Sequence, residues 1–167
     1  EMKWSGNWEK LFLQQKIPSK INAWVSERLN QNIPFLLFFP SIRVMEQVLP
    51  LFQRLSPELS IVHSRHPDRK EKVMALRNGL VPGLLTTTIL ERGVTIERLE
   101  VAVIGAEHEV FSDSALVQIA GRVGRSFANP SGTVTFFHYG KSEAMAEAVH
   151  HIQMMNKNAM KRGLLDE

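Results

Sequence analysis

The chain has 167 residues, of which 44% are hydrophobic and 22% charged, an ordinary composition for one globular domain with a single core. Twenty basic against seventeen acidic side chains leave a net charge of +3, which permits a nucleic-acid partner without demanding one. The absence of cysteine excludes disulfide scaffolds, thiol catalysis and Cys-ligated zinc within these residues, and the strongly apolar run from Phe35 to Phe39 is far short of the roughly 20 apolar residues of a membrane-spanning helix.

The chain opens on Glu1 rather than on methionine and is expected to be one domain of a longer protein. Residues 1–15, with Trp4 and Trp8, show no pattern that places them in a sheet and are set apart as an N-terminal extension; 16–167 are expected to form the domain. Ile17, Ile21, Trp24, Val25 and Leu29 recur at helical spacing after Pro18 and Ser19, and Asn32-Ile33-Pro34 ends that helix. Phe35 to Phe39, continuously apolar between two prolines, predicts a strand buried on both faces. Ser41 is placed to cap a second helix marked by Val44, Met45, Val48, Phe52 and Leu55, and Leu59 to Val62 predicts a second strand. The polar loop His63-Ser64-Arg65-His66 follows, then a third helix that starts on a capping-box pair, Asp68 and Glu71, and stops near Asn78-Gly79.

Further strands are predicted at Leu84 to Thr87, Val101 to Ile104 and Thr133 to Phe137, with a helix capped by Ser112 or Asp113 before the last. A final helix from Glu143 carries Met145, Ala148, Val149, Ile152, Met155 and Ala159, and is expected to fray near Gly163. Short apolar strands alternating with helices imply an α/β fold, a parallel sheet covered on both faces by right-handed crossovers, with function on the loops beyond the strand C-termini.

Gln118-Ile119-Ala120-Gly121-Arg122-Val123-Gly124-Arg125 is the most informative segment. Its two arginines lie three apart, on one helical face, and each follows a glycine that leaves room for a backbone or a phosphate. Planar guanidinium groups suit phosphate oxygens and can stabilise charge developing during phosphoryl transfer. Thr86 to Thr88 offer three hydroxyls at a strand end, a pattern that also serves simple β-propensity. Arg65, Arg69, Lys70, Lys72 and Arg77 face only Asp68 and Glu71 between residues 61 and 84, whereas 85–120 are acidic. That basic stretch is either a phosphate-contacting loop or a solvated helix face. His108 and His150-His151 have no partner at ligand spacing, so no metal site is assigned. Trp4 and Trp8 either stack bases or dock against this domain or a neighbouring one.

The string from Gln118 to Arg125 resembles motif VI of the superfamily 2 helicases; Leu85 to Ile96 is similar to motif V, and Leu37-Phe38-Phe39-Pro40-Ser41 to motif IV. All three occur in the family's order, which implies the second RecA-like motor domain, and Thr86 to Thr95, Ala102 to His108 and Ala115 to Arg125 are most similar to the ATP-dependent DNA translocases of bacterial competence, with primosomal restart helicases next. The resemblance implies that Arg122 and Arg125 reach the nucleotide phosphates, Arg125 as the arginine finger, that Gln118 couples nucleotide to the domain interface, and that Gly93, with Thr87, Thr88 and Arg92, lines the joint between the nucleic-acid track and the ATP cleft. Candidate nucleic-acid contacts are Ser41 in the motif IV-like string, Thr86, Thr87 and Thr88 in the motif V-like string, and Ser64 and Arg65 in the polar loop after the second strand. Thr95 stands where many RNA-helicase relatives have Asp, so no ribose contact is assigned there.

No Gly-x-x-x-x-Gly-Lys-Ser/Thr loop occurs in these residues, and no Asp-Glu pair follows an apolar strand. In the helicases it resembles, those parts sit on a first RecA-like domain, and the resemblance implies that ATP with Mg2+ is held mainly by such a domain of the same protein. The partners so implied are single-stranded DNA, that first domain and other DNA-uptake proteins at the membrane; the expected place is cytoplasmic, with the inner face of the cell membrane as a peripheral option. A primosomal-type or RNA-remodelling helicase domain and a non-catalytic nucleic-acid or protein binding module are the alternatives.

Overall fold

The computed structural model describes residues 1–87, 95–121, 134–140 and 142–166, with 158–166 as backbone. Its elements are β1 (Met2–Trp4), α1 (Trp8–Leu13), α2 (Ser19–Gln31), β2 (Phe35–Phe38), α3 (Ile42–Gln53), β3 (Ser60–Val62), α4 (Arg69–Arg77), β4 (Gly83–Thr86), β5 (Glu100–Ile104), α5 (Asp113–Ala120), β6 (Val134–His138) and α6 (Glu143–Asp166). The strands form one parallel sheet in the order β1-β6-β5-β2-β4-β3. A parallel sheet needs long crossovers, and these place helices on both faces.

The side-chain period of two divides the core between those faces. Phe35, Leu37, Leu85, Ala102, Ile104 and Phe137 pack against α1, α2 and α3, whereas Leu36, Phe38, Leu84, Val101, Val103 and Phe136 pack against α4, α5 and α6. β2 is the central, continuously apolar strand because it feeds both layers, as the run between Pro34 and Pro40 predicts. Each large side chain so buried contributes on the order of 1.5–3 kcal/mol.

The first fifteen residues are part of this architecture. β1 pairs in parallel with β6 through Met2↔Phe136, Lys3↔Phe137 and Trp4↔His138, extending the sheet at its edge. α1 buries Trp8 and Phe12 in the same layer as α2 and α3, so the second tryptophan is a core residue, not an exposed stacking face. Three strand residues and six helical ones are too few for periodicity to speak, which is why the sequence pattern leaves them unplaced.

The caps at Ser41 and Ser112 form as predicted: the hydroxyls accept from the amides of Val44 and Ala115 at 3.2 and 3.1 Å. Asp68 does not. It occupies the N-cap position of α4 with φ −97° and ψ 17°, outside the extended region a capping side chain needs, and makes no cap hydrogen bond. α6 keeps a helical backbone through position 163 to Asp166, where fraying was expected; one glycine costs a helix only about 1 kcal/mol. Met145 belongs to the core, while Met154 and Met155 face solvent.

Candidate nucleic-acid interface

Because all six strands run the same way, their C-termini open on one edge, where loop amides and side chains are available. β2, β4 and β3 are consecutive, roughly 4.8 Å apart per step, so the segments that follow them are neighbours. Ser41, Thr87 and the His63 to His66 loop are thereby brought together from three sequence positions.

Ser41 sits on extended backbone after β2, and its Oγ is used as the acceptor of the α3 cap; the hydroxyl proton is not consumed by that role. The threonine run is not the row of three hydroxyls that the sequence suggests. Thr86 has no exposed surface, being the last residue of a strand hydrogen-bonded on both sides between β2 and β3, so it cannot meet a phosphate in this conformation. Thr87 is half-buried at the strand end; Thr88 lies outside the described residues.

The loop after β3 is built around two histidines. Their rings stack with centroids 3.8 Å apart and 29° between planes. The Arg65 amide donates to His63 Nδ1 at 3.1 Å, and the His63 amide donates to His66 Nδ1 at 3.3 Å. Both Nδ1 atoms therefore act as acceptors within the loop. Burial holds the His66 imidazolium below the usual histidine range, and the neighbouring His63 and Lys72 push the same way. Arg69 donates to the Ser64 carbonyl at 2.9 Å and Lys72 to the Ile61 carbonyl at 2.7 Å, so two of the five local cations brace the loop's backbone. Ser64 and Arg65 remain exposed at its tip.

On the other half of the edge, Glu107 after β5 accepts from Trp8 Nε1 at 3.1 Å and from the Tyr139 amide at 2.7 Å. One carboxylate thus ties α1 to the ends of β5 and β6. A carboxylate just past an apolar strand is a legible signal, but its partners, 99 and 32 residues away, are not. Gln118 is exposed on α5. Gly93, Arg122 and Arg125 lie outside the described residues, as does most of the motif V-like string. Among the described residues, no three His, Asp or Glu side chains converge as a metal site, and no helix is long and apolar enough to cross a membrane.

A family model described as helicase conserved C-terminal domain matches residues 19–127, which include α2 to α5 and the strands between them. The chain belongs to the helicase C-terminal domain family. Among curated relatives of this helicase domain, it is 42% identical over 158 residues to competence protein ComFA of Bacillus subtilis, covering 95% of this chain and 34% of that protein. It is 37% identical over 158 residues to competence protein ComFA of Streptococcus pneumoniae, covering 93% and 37%. The chain thus spans about a third of the length of these relatives. The helicase fold is also that of the E. coli DEAD-box protein SrmB, seen bound to RraA, with a TM-score of 0.62 at 14% identity, covering 90% of this chain and 83% of that one. The parallel sheet with helices on both faces is the RecA-like architecture of superfamily 2 helicase C-terminal domains.

Proposed function

We propose that this helicase C-terminal domain is the second motor domain of an ATP-driven translocase that draws single-stranded DNA inward during natural transformation. The observation that carries this reading is the 42% identity to competence protein ComFA over 95% of the chain. In this reading Ser41, Thr87, Ser64 and Arg65 grip DNA phosphates along β2, β4 and β3, contacts that supply affinity without reading sequence. Arg122 and Arg125 reach the phosphates of an ATP held, with Mg2+, mainly by a first RecA-like domain of the same protein, Gln118 couples the nucleotide to the domain interface, and Gly93 lines the joint between the DNA track and the ATP cleft. Cleft closure on nucleotide and release after hydrolysis would alternate the DNA grip. Its partners are then single-stranded DNA, that first domain and DNA-uptake proteins at the inner face of the cell membrane.

The test uses the full-length protein, with ATP turnover measured beside single-stranded DNA, duplex DNA and RNA. Single-stranded DNA should stimulate most. Arg125→Ala should lower kcat by about 10³ or more, as removal of an arginine finger does, while nucleotide affinity changes far less. Arg125→Lys should rescue poorly, because an ammonium lacks the two-pronged planar geometry. Wild-type turnover in Arg125→Ala would remove the finger assignment, and stimulation by RNA alone would replace the substrate.

A further inference from the structure

Trp4 and Tyr139 are each about half exposed, in a chain whose other two tryptophans, Trp8 and Trp24, are 2% exposed. Trp4 is the last residue of β1 and is in register with His138, the last of β6, so it stands level with the strand ends that carry the phosphate-contact candidates. Its ring lies 5.2 Å from that of Tyr139, centroid to centroid, with 50° between planes, and 5.8 Å edge-on from His138. The tilt matters. Two rings stacked face to face would cover one another, whereas these leave ring faces open to a third planar group.

The pair is also held in place from behind. The Ser5 amide and hydroxyl both donate to the His138 carbonyl, at 2.9 and 3.1 Å, which pins the chain on the far side of Trp4. The Tyr139 amide donates to Glu107 at 2.7 Å, and the Gly140 amide to His138 Nδ1 at 3.2 Å. Backbone fixed in this way lowers the ordering cost of using the rings for binding.

We infer that Trp4 and Tyr139 form a stacking platform for an unpaired base of single-stranded DNA, at the opposite end of the sheet edge from Ser64 and Arg65. Five strand steps separate the two, about 24 Å, so one strand of DNA laid along the edge would meet phosphate donors at one end and a base platform at the other. An aromatic face accepts any base, as a sequence-independent translocase requires, and works with a cationic groove that tracks the backbone. The inference rests on the nucleic-acid reading proposed above, and adds to it a contact with the base rather than with the phosphate.

The experiment measures binding of the full chain to a 20-residue oligothymidylate and to an abasic strand of equal length, by fluorescence anisotropy across a salt series. The wild type should prefer the base-bearing strand, and its Trp4 emission should be quenched by that strand and not by the abasic one. Trp4→Ala should raise Kd for the oligothymidylate by about 5-fold or more, the lower end of what base–aromatic stacking yields, with an unchanged salt slope. Tyr139→Ala should do the same more weakly, and Trp4→Phe should keep most of the affinity. Salt-dependent binding with no preference between the strands, or equal affinity in Trp4→Ala, overturns the platform while leaving the phosphate contacts standing. Binding of neither strand overturns both readings. A DNA-independent dimer that Trp4→Ala abolishes would reassign the patch to protein contact and overturn the inference.

Discussion

Three histidines turn the chain at one edge of the sheet by the same device. The Nδ1 atoms of His63, His108 and His138 each accept the amide N–H of the residue two further on, at 3.1, 3.1 and 3.2 Å. At His66, stacked on His63, the folded state favours the neutral form, chiefly through burial. The unfolded chain therefore binds the proton more readily, and stability rises with pH across that window. It is full above the ordinary value of about 6.5 and lost as pH falls through the lower folded value. The melting temperature should drop between pH 7 and pH 5, and His66→Gln should flatten that drop; a parallel profile in the variant would show that His66 is not the sensor. At the same loop Arg65→Ala should lower the slope of log affinity against log salt by about 0.7, one phosphate contact on a single strand. Arg69→Ala should do something different, since that guanidinium braces the Ser64 carbonyl: it should weaken binding through the loop's shape as well as its charge.

At the scale of elements, α1 and α2 are fastened to opposite ends of β5. Gly105, just past β5, has φ +72°, and a Cβ there would come within 2.5 Å of the Trp8 ring. Left-handed backbone alone costs a non-glycine residue roughly 1–2 kcal/mol, and the clash adds to it. Gly105→Ala should therefore destabilise the fold by about 2 kcal/mol or more and loosen α1, read as a red shift of Trp8 emission and faster amide exchange in residues 8–13. Near the opposite edge Arg28 of α2 holds Glu100, the first residue of β5, at 2.9 Å, with both side chains largely buried and the guanidinium 4.2 Å from the centre of the Trp24 ring. Breaking such a pair from one side leaves a buried charge, so Arg28→Ala should cost about 3–5 kcal/mol in a denaturant titration. A loss within a few tenths of a kcal/mol would mean that water reaches Glu100.

For the whole molecule, the parallel topology decides what can cooperate. One edge carries hydroxyls and an exposed arginine over β2, β4 and β3, and a carboxylate with two aromatic rings over β5, β6 and β1. The chain lacks a phosphate loop of its own. Alone it should hydrolyse no ATP and bind the nucleotide negligibly by calorimetry, while still binding single-stranded DNA weakly and with strong salt dependence. Micromolar ATP binding by these 167 residues would contradict the two-domain reading.

The sequence by itself determined the α/β alternation, the doubly buried β2 and the serine caps, because these depend on neighbours within a few residues and on periods of 2 and 3.6. Its motif strings also determined the helicase family, since the order and spacing of residues such as Gln118 to Arg125 are carried by the chain itself. The tertiary structure decided what depends on contacts far apart in the chain. It joined Met2 to Trp4 to β6 across more than 130 residues, sent Trp8 inward and left Trp4 outside. It buried Thr86 between two strands while its neighbour Thr87 keeps some exposed surface, and it gave Asp68 a backbone on which its side chain makes no cap bond. A residue's type states which contacts it can make; only strand order and register choose which of them it does make.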